Sequence, residues 1–156
     1  MKRKLKIDWD TVVAEFSFKS ESDSALLDLE TGEVRYLYES GWDGETIDEI
    51  GEDELEKNPG RYAAMEPPDS GESFRWMERF AEGVKDNEVR GSLFRALQGR
   101  RPFRGFKDTL IGYPDTQKEW YVFEERCIHE YIADWANSLD VEITNPPAWL
   151  AESMAT

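Results

Sequence analysis

Hydrophobic positions along this chain repeat in two rhythms, and the change from one to the other divides the sequence. Trp9, Val12, Val13 and Phe16 recur at helical spacing behind Asp8 and Asp10. Asp10 can cap a helix N-terminus, so a first helix is expected from Asp8 or Asp10 to about Phe18. The rhythm then becomes alternating. In Ala25-Leu26-Leu27-Asp28-Leu29-Glu30-Thr31-Gly32-Glu33-Val34-Arg35-Tyr36-Leu37-Tyr38, Leu27 and Leu29 alternate with Leu26 and Asp28. Val34, Tyr36 and Tyr38 likewise alternate with Arg35 and Leu37. Gly32 falls in the gap between the runs, where a tight turn needs positive φ. The pattern predicts a β-hairpin over about 24–38. Arg61-Tyr62-Ala63-Ala64-Met65 supplies a candidate third strand, bounded by the breaker Asn58-Pro59-Gly60 and by Pro67-Pro68.

Helical spacing returns after Pro68 and holds for the rest of the chain. Asp69 or Ser70 opens a helix with the stripe Phe74, Met77, Phe80, Ala81 and Val84. A second begins near Asp86, sets Val89, Leu93 and Leu97 four apart beside Ala96, and stops at Gly99. A third carries Phe103, Phe106 and Leu110 and ends before Gly112-Tyr113-Pro114. The longest is predicted over about 116–138, with Trp120, Phe123, Cys127, Ile128, Tyr131, Ile132, Trp135 and Leu139 on one broad face. Strands first and helices afterwards is the α+β pattern: a small antiparallel sheet seeded by the hairpin, packed with four or five helices. A single domain is expected over 1–142, followed by a Pro-containing tail over 143–156 that folds back or frays.

Composition supports a packed core. Of 156 residues, 39% are hydrophobic and 13% aromatic, too rich in rings for a disordered chain. One cysteine excludes an intramolecular disulfide and no Cys/His cluster has zinc spacing. No apolar run is long enough to span a bilayer, and the basic start leads into no secretory signal. A soluble, reduced, cytoplasmic setting is the expectation. Net charge is −15, and its distribution is uneven. Between Glu39 and Glu56 there are nine acidic residues and no basic one; between Arg90 and Lys107 there are six basic residues and no acidic one. Each is read first as a solvated face, and next as a surface offered to a partner of opposite sign.

Several short runs carry a family resemblance. Asp28-Leu29-Glu30-Thr31-Gly32-Glu33-Val34 is one, and Asn58-Pro59-Gly60-Arg61-Tyr62 and Phe74-Arg75-Trp76-Met77-Glu78-Arg79-Phe80 are others. The most specific is Leu93-Phe94-Arg95-Ala96-Leu97-Gln98-Gly99-Arg100-Arg101-Pro102-Phe103-Arg104-Gly105-Phe106-Lys107-Asp108-Thr109-Leu110, continued by Pro114, Trp120 and Phe123. With these the chain resembles the bacterial uncharacterised protein family 0158 from about Ile7 to Leu139. Pro102 departs from the small or helix-forming residue expected there, and the tail after Val141 has no counterpart. The resemblance implies a small cytoplasmic bacterial domain and supplies no catalytic residues to carry over.

Candidate chemistry is sparse. Cys127 and the single histidine, His129, stand two apart on a helix and point to nearly opposite faces, which disfavours a nucleophilic pair. Cys127 lies on the apolar stripe and reads as a small buried hydrophobe; His129 lies off it and reads as an exposed polar residue. With 34 carboxylates, spacing selects no acid–base pair. The acidic loop lacks the calcium-binding pattern, no Gly-rich phosphate loop occurs, and Gly41-Trp42-Asp43-Gly44 is too short to be one. No catalytic residue, metal ligand or cofactor is assigned, and the balance leans away from an enzyme.

Arg100-Arg101-Pro102-Phe103-Arg104-Gly105-Phe106-Lys107 interleaves rings and cations, as single-strand binders do. Here the helical spacing of Phe103, Phe106 and Leu110 buries the rings and leaves the cations outside. Arg95, Arg100, Arg101, Arg104 and Lys107 are therefore the candidate partner- or phosphate-binding residues, suited to gripping charge rather than reading bases. Trp42 and Trp149, outside the periodic core, are candidate contact aromatics. The reading adopted is an interaction or regulatory domain that binds another macromolecule, a protein in preference to nucleic acid. A phosphate-contacting nucleic-acid protein and a carboxylate enzyme are the alternatives.

Overall fold

A computed structural model describes residues 2–17, 25–37, 49–50 and 52–154. The chain forms two compact units, one of residues 1–67 with 128–156 and the other of 68–127.

The first unit begins with strand β1 (Arg3–Leu5) and helix α1 (Trp9–Ser17). Asp8 rather than Asp10 caps α1, receiving the backbone N–H (3.4 Å) and hydroxyl (3.0 Å) of Thr11, because the helix already includes Asp10; Val12 and Phe16 are buried as the spacing requires. The hairpin follows as β2 (Ala25–Asp28) and β3 (Val34–Leu37), antiparallel with Leu27 opposite Val34. A further strand, β4 (Glu49–Ile50), lies parallel to β3, and helix α2 (Glu52–Lys57) follows it. Strand β5 (Tyr62–Ala64) pairs antiparallel with β2, so the expected third strand is present and the order is β4-β3-β2-β5.

The hairpin turn is tied to the N-terminal segment at its glycine. Gly32 has φ of +80°, and a Cβ placed there would lie 1.9 Å from the carbonyl oxygen of Lys6. Both the conformation and the contact exclude a side chain.

In the second unit, α3 (Ser70–Gly83) is capped by Asp69, whose carboxylate accepts from the Glu72 N–H at 2.8 Å. Helix α4 (Asn87–Leu97) is capped by Asp86 and buries Val89, Leu93 and Leu97. Helix α5 (Pro102–Ile111) starts with Pro at its first position, where the missing N–H costs nothing. This accounts for the residue at which the chain departs from the expected pattern. Gly105 lets α5 approach α4: a Cβ there would sit 3.4 Å from Ala96. Phe80, Phe106 and Trp120 form the unit's aromatic core, with edge-to-face centroids 5.0–6.3 Å apart. Phe103 is only half-buried, against Phe74, because it lies at the first turn of α5 while Phe106 points inward.

Helix α6 (Pro114–Ser138) begins in the second unit and ends in the first. Beyond it come β6 (Val141–Ile143), paired parallel with β1, and α7 (Ala148–Met154). The last segment folds back through Asn145, whose side chain extends the β1–β6 ladder. Its Oδ1 accepts from the Ile7 N–H at 3.0 Å and its Nδ2 donates to the Ile7 carbonyl at 2.7 Å. The described residues thus hold seven helices, a four-stranded sheet and the two-stranded β1–β6 pair, an α+β fold. The helices beyond the expected four or five include α2 and α7, which are short and offer a periodic stripe few positions.

Candidate functional site

The basic segment lies on consecutive elements of the second unit: the last turn of α4, the link 98–101 and the first two turns of α5. Arg95, Arg100, Arg101, Arg104 and Lys107 are all exposed, while Phe106 and Leu110 of the same run are at most 1% exposed. Helical periodicity separates the buried Phe106 from the cations, as expected, whereas Phe103 is only half-buried. The cations differ in how far they are engaged. Arg95 donates to the Ser92 hydroxyl at 3.1 Å, and Arg104 pairs loosely with Asp108 at 3.7 Å, both exposed. Arg100 and Arg101 have no acidic partner among the described residues. Arg101 occupies the N-cap of α5 without a side-chain cap, so the positive end of the helix adds to the same corner.

Lys107 acts on Glu124 of α6. Burial raises the Glu124 carboxyl above the ordinary carboxylate range, and the Lys107 ammonium works against that rise.

The two contact aromatics fare differently. Trp42 lies outside the described residues, as does most of the acidic stretch 39–56. Trp149 is half-buried and turned inward: its Nε1–H donates to Nδ1 of His129 at 3.0 Å, with the rings stacked at 6.0 Å. His129 is therefore not the exposed polar residue expected from its place off the stripe. It is 8% exposed, held between Trp149 and the edge-on ring of Trp9 at 5.2 Å. A chain segment twenty residues further on covers it, which no local periodicity can report. Because an indole N–H only donates, Nδ1 is the acceptor in this contact. Cys127 is buried, as expected, and its sulfur accepts from Arg79 at 3.4 Å.

Sequence reasoning passed over a charged group at the hairpin turn. Alternation sets Asp28 beside Leu26 as a polar strand position, yet Asp28 is fully buried. Its Oδ1 accepts the Glu30 N–H at 2.9 Å and Arg61 Nε at 3.1 Å, and its Oδ2 accepts Arg61 Nη2 at 3.0 Å. Arg35 lies 3.9 Å away. Burial pushes the Asp28 carboxyl up, but the Arg61 fork and the turn amides outweigh it and hold the group below its ordinary 3.8. The Asp-x-x-x-Gly spacing followed by a distant Asn-Pro-Gly-Arg was the available signal. This cluster braces the turn.

The first unit also has an open groove of about 1080 Å³, lined by Lys2, Lys4, Trp9, Glu130, Asp134 and Glu142 among others. It carries charges of both signs, and it contains none of the predicted basic residues. Among the described residues, no three His, Cys, Asp or Glu side chains are grouped to hold a metal, and no helix is long and apolar enough to cross a membrane.

The family model of the uncharacterised protein family UPF0158 matches residues 2–146. The chain belongs to this family. The match runs through Asn145, so it takes in β6 and the residue that closes the N-terminal ladder. A curated relative, UPF0158 protein PA5073 of Pseudomonas aeruginosa, is 29% identical over 140 residues, covering 90% of this chain and 87% of its own. No solved structure matches the chain. The family is defined without an activity.

Proposed function

We propose that this protein is an interaction domain of the bacterial cytoplasm that docks an acidic surface of another protein through the α4–α5 corner. The observation that supports the reading is the pair Arg100 and Arg101, exposed and without an acidic partner among the described residues in a chain with 34 acidic side chains. Where carboxylates outnumber cations so heavily, a cationic corner left open is not explained by internal pairing. Arg95, Arg104 and Lys107 extend the corner. Arginine forks bind carboxylate or phosphate in pairs of hydrogen bonds, which gives geometry as well as attraction. A protein partner is favoured over nucleic acid because the net charge of −15 opposes approach to a polyanion beyond a Debye length of ~8 Å. The rings that would stack on bases are buried or half-buried. A cytoplasmic setting accords with a single, buried, unbridged cysteine.

The test is affinity capture from native bacterial lysate, with and without nuclease, comparing wild type with a variant carrying Arg100→Glu, Arg101→Glu and Arg104→Glu. The expected result is one protein retained after nuclease and lost in the variant. Recovery of RNA or DNA that nuclease removes replaces the protein partner with nucleic acid. Equal recovery by wild type and variant refutes the corner as the binding surface.

A further inference from the structure

The four-stranded sheet ends on β5, and one edge of that strand has no neighbour among the described residues. The Arg61 carbonyl accepts from the Leu29 N–H of the hairpin turn, and the Met65 N–H donates to the Ala25 carbonyl of β2. Ala63, opposite Leu27, faces β2 as well. Backbone groups alternate along a strand, so Tyr62 and Ala64 turn their N–H and C=O groups the other way. Ala64 is exposed and Tyr62 half-buried, and these four backbone groups have no partner among the described residues. The open stretch has a marked end on either side. Arg3 donates to the Gly60 carbonyl at 3.2 Å, and the Tyr131 hydroxyl donates to the Glu66 carbonyl at 3.0 Å. The side chains of Arg3 and Glu66 are exposed, and neither has an ion-pair partner among the described residues.

We infer that this edge pairs with the same edge of a second copy of the chain, antiparallel about a two-fold axis at Ala63. A row of free backbone groups is a template for another strand, and β5 itself carries neither a charge nor a proline to blunt it. A two-fold interface must be complementary to itself. The axis sets Tyr62 of each copy against Ala64 of the other, so that all four open groups of each edge are used and the two sheets become one. The charges select this occupant. The same register brings Glu66 of each copy opposite position 60 of the other, where Arg3 sits on the Gly60 carbonyl. An Arg3–Glu66 pair thus closes the ladder at either end. A parallel pairing in register would set Glu on Glu and Arg on Arg. Because each copy carries a net charge of −15, the association is weak and depends on this local complementarity.

Sedimentation velocity of the full chain from micromolar to millimolar concentration tests the inference, with circular dichroism to verify that each variant is folded. Wild type is expected to dimerise with rising concentration. Ala64→Pro removes an outward N–H while leaving the bonds to β2 in place, and is expected to abolish the dimer. Arg3→Glu and Glu66→Lys should each raise the dimer dissociation constant at least about tenfold, since each turns both end pairs into like charges. An equimolar mixture of these two charge variants should recover dimer, because a mixed pair has both contacts restored. A wild type that stays monomeric throughout overturns the second copy as occupant of the edge. A dimer indifferent to a folded Ala64→Pro, or a mixture that fails to recover, overturns the arrangement of the strands.

Discussion

Arg61 and Arg101 are the same side chain in opposite surroundings. Arg61 forks onto both oxygens of a fully buried Asp28, leans on the face of Tyr62 at 5.3 Å, and helps fix the hairpin turn. Arg101 stands exposed at the start of α5, with no acidic partner among the described residues. The first guanidinium is strongly held, its proton bound more tightly than in water because of the carboxylate beside it. The second is exposed. The contrast teaches that in a chain with 34 carboxylates, the telling feature of an arginine is whether the fold has already supplied its anion.

The sharpest break in this comparison is made at the turn rather than at the arginines. Gly32→Ala forces a Cβ against the Lys6 carbonyl and is expected to cost more than about 4 kcal/mol or prevent folding. Gly60→Ala has the same φ of +80° with open space around it, so only the conformational cost of about 1–2 kcal/mol remains. Denaturant titration of both variants measures the difference, which is due to the contact alone.

Next in size come the core and the buried pair. Phe106→Ala should cost about 3–5 kcal/mol by leaving a cavity, and half-buried Phe103→Ala clearly less. Arg61→Ala strands a buried carboxylate and should cost about 3 kcal/mol. Arg100→Ala and Arg101→Ala should stay within about 0.5 kcal/mol of wild type. Equal losses at Arg61 and Arg101 in chemical denaturation would remove the distinction drawn above.

A smaller effect follows acidification. The folded value for Asp28 lies below its unfolded value, so the carboxylate's contribution is complete above the ordinary 3.8 and declines as pH falls through the depressed folded value. Wild type should therefore lose stability in that acid window, and Asp28→Asn should show a flatter dependence there. The unfolding midpoint measured against pH reads this directly.

Much of the molecule was legible beforehand because it depends on near neighbours. The hairpin, the glycine at its turn, the caps Asp69 and Asp86, and the stripe Val89, Leu93, Leu97 all follow from residues within a turn or two of one another. The same applies to the outward cations of the basic segment, since helix period alone divides Arg104 and Lys107 from Phe106. Three features escaped for a common reason. Asp28 is buried by Arg61, His129 by Trp9 and Trp149, and the ladder of β1 is completed by Asn145. Each requires a partner far along the chain, and periodicity carries no information about distant partners.

The amino-acid sequence by itself determined the order of elements, the division of α5 into an apolar and a basic face, and membership of an uncharacterised family through runs such as Leu93–Leu110. Only the tertiary structure decided which charges are neutralised inside the fold and which remain for a partner. The reason is physical. Secondary structure is set by short-range sterics and hydrogen bonding, whereas the state of a charge depends on what the rest of the chain brings within a few ångströms of it.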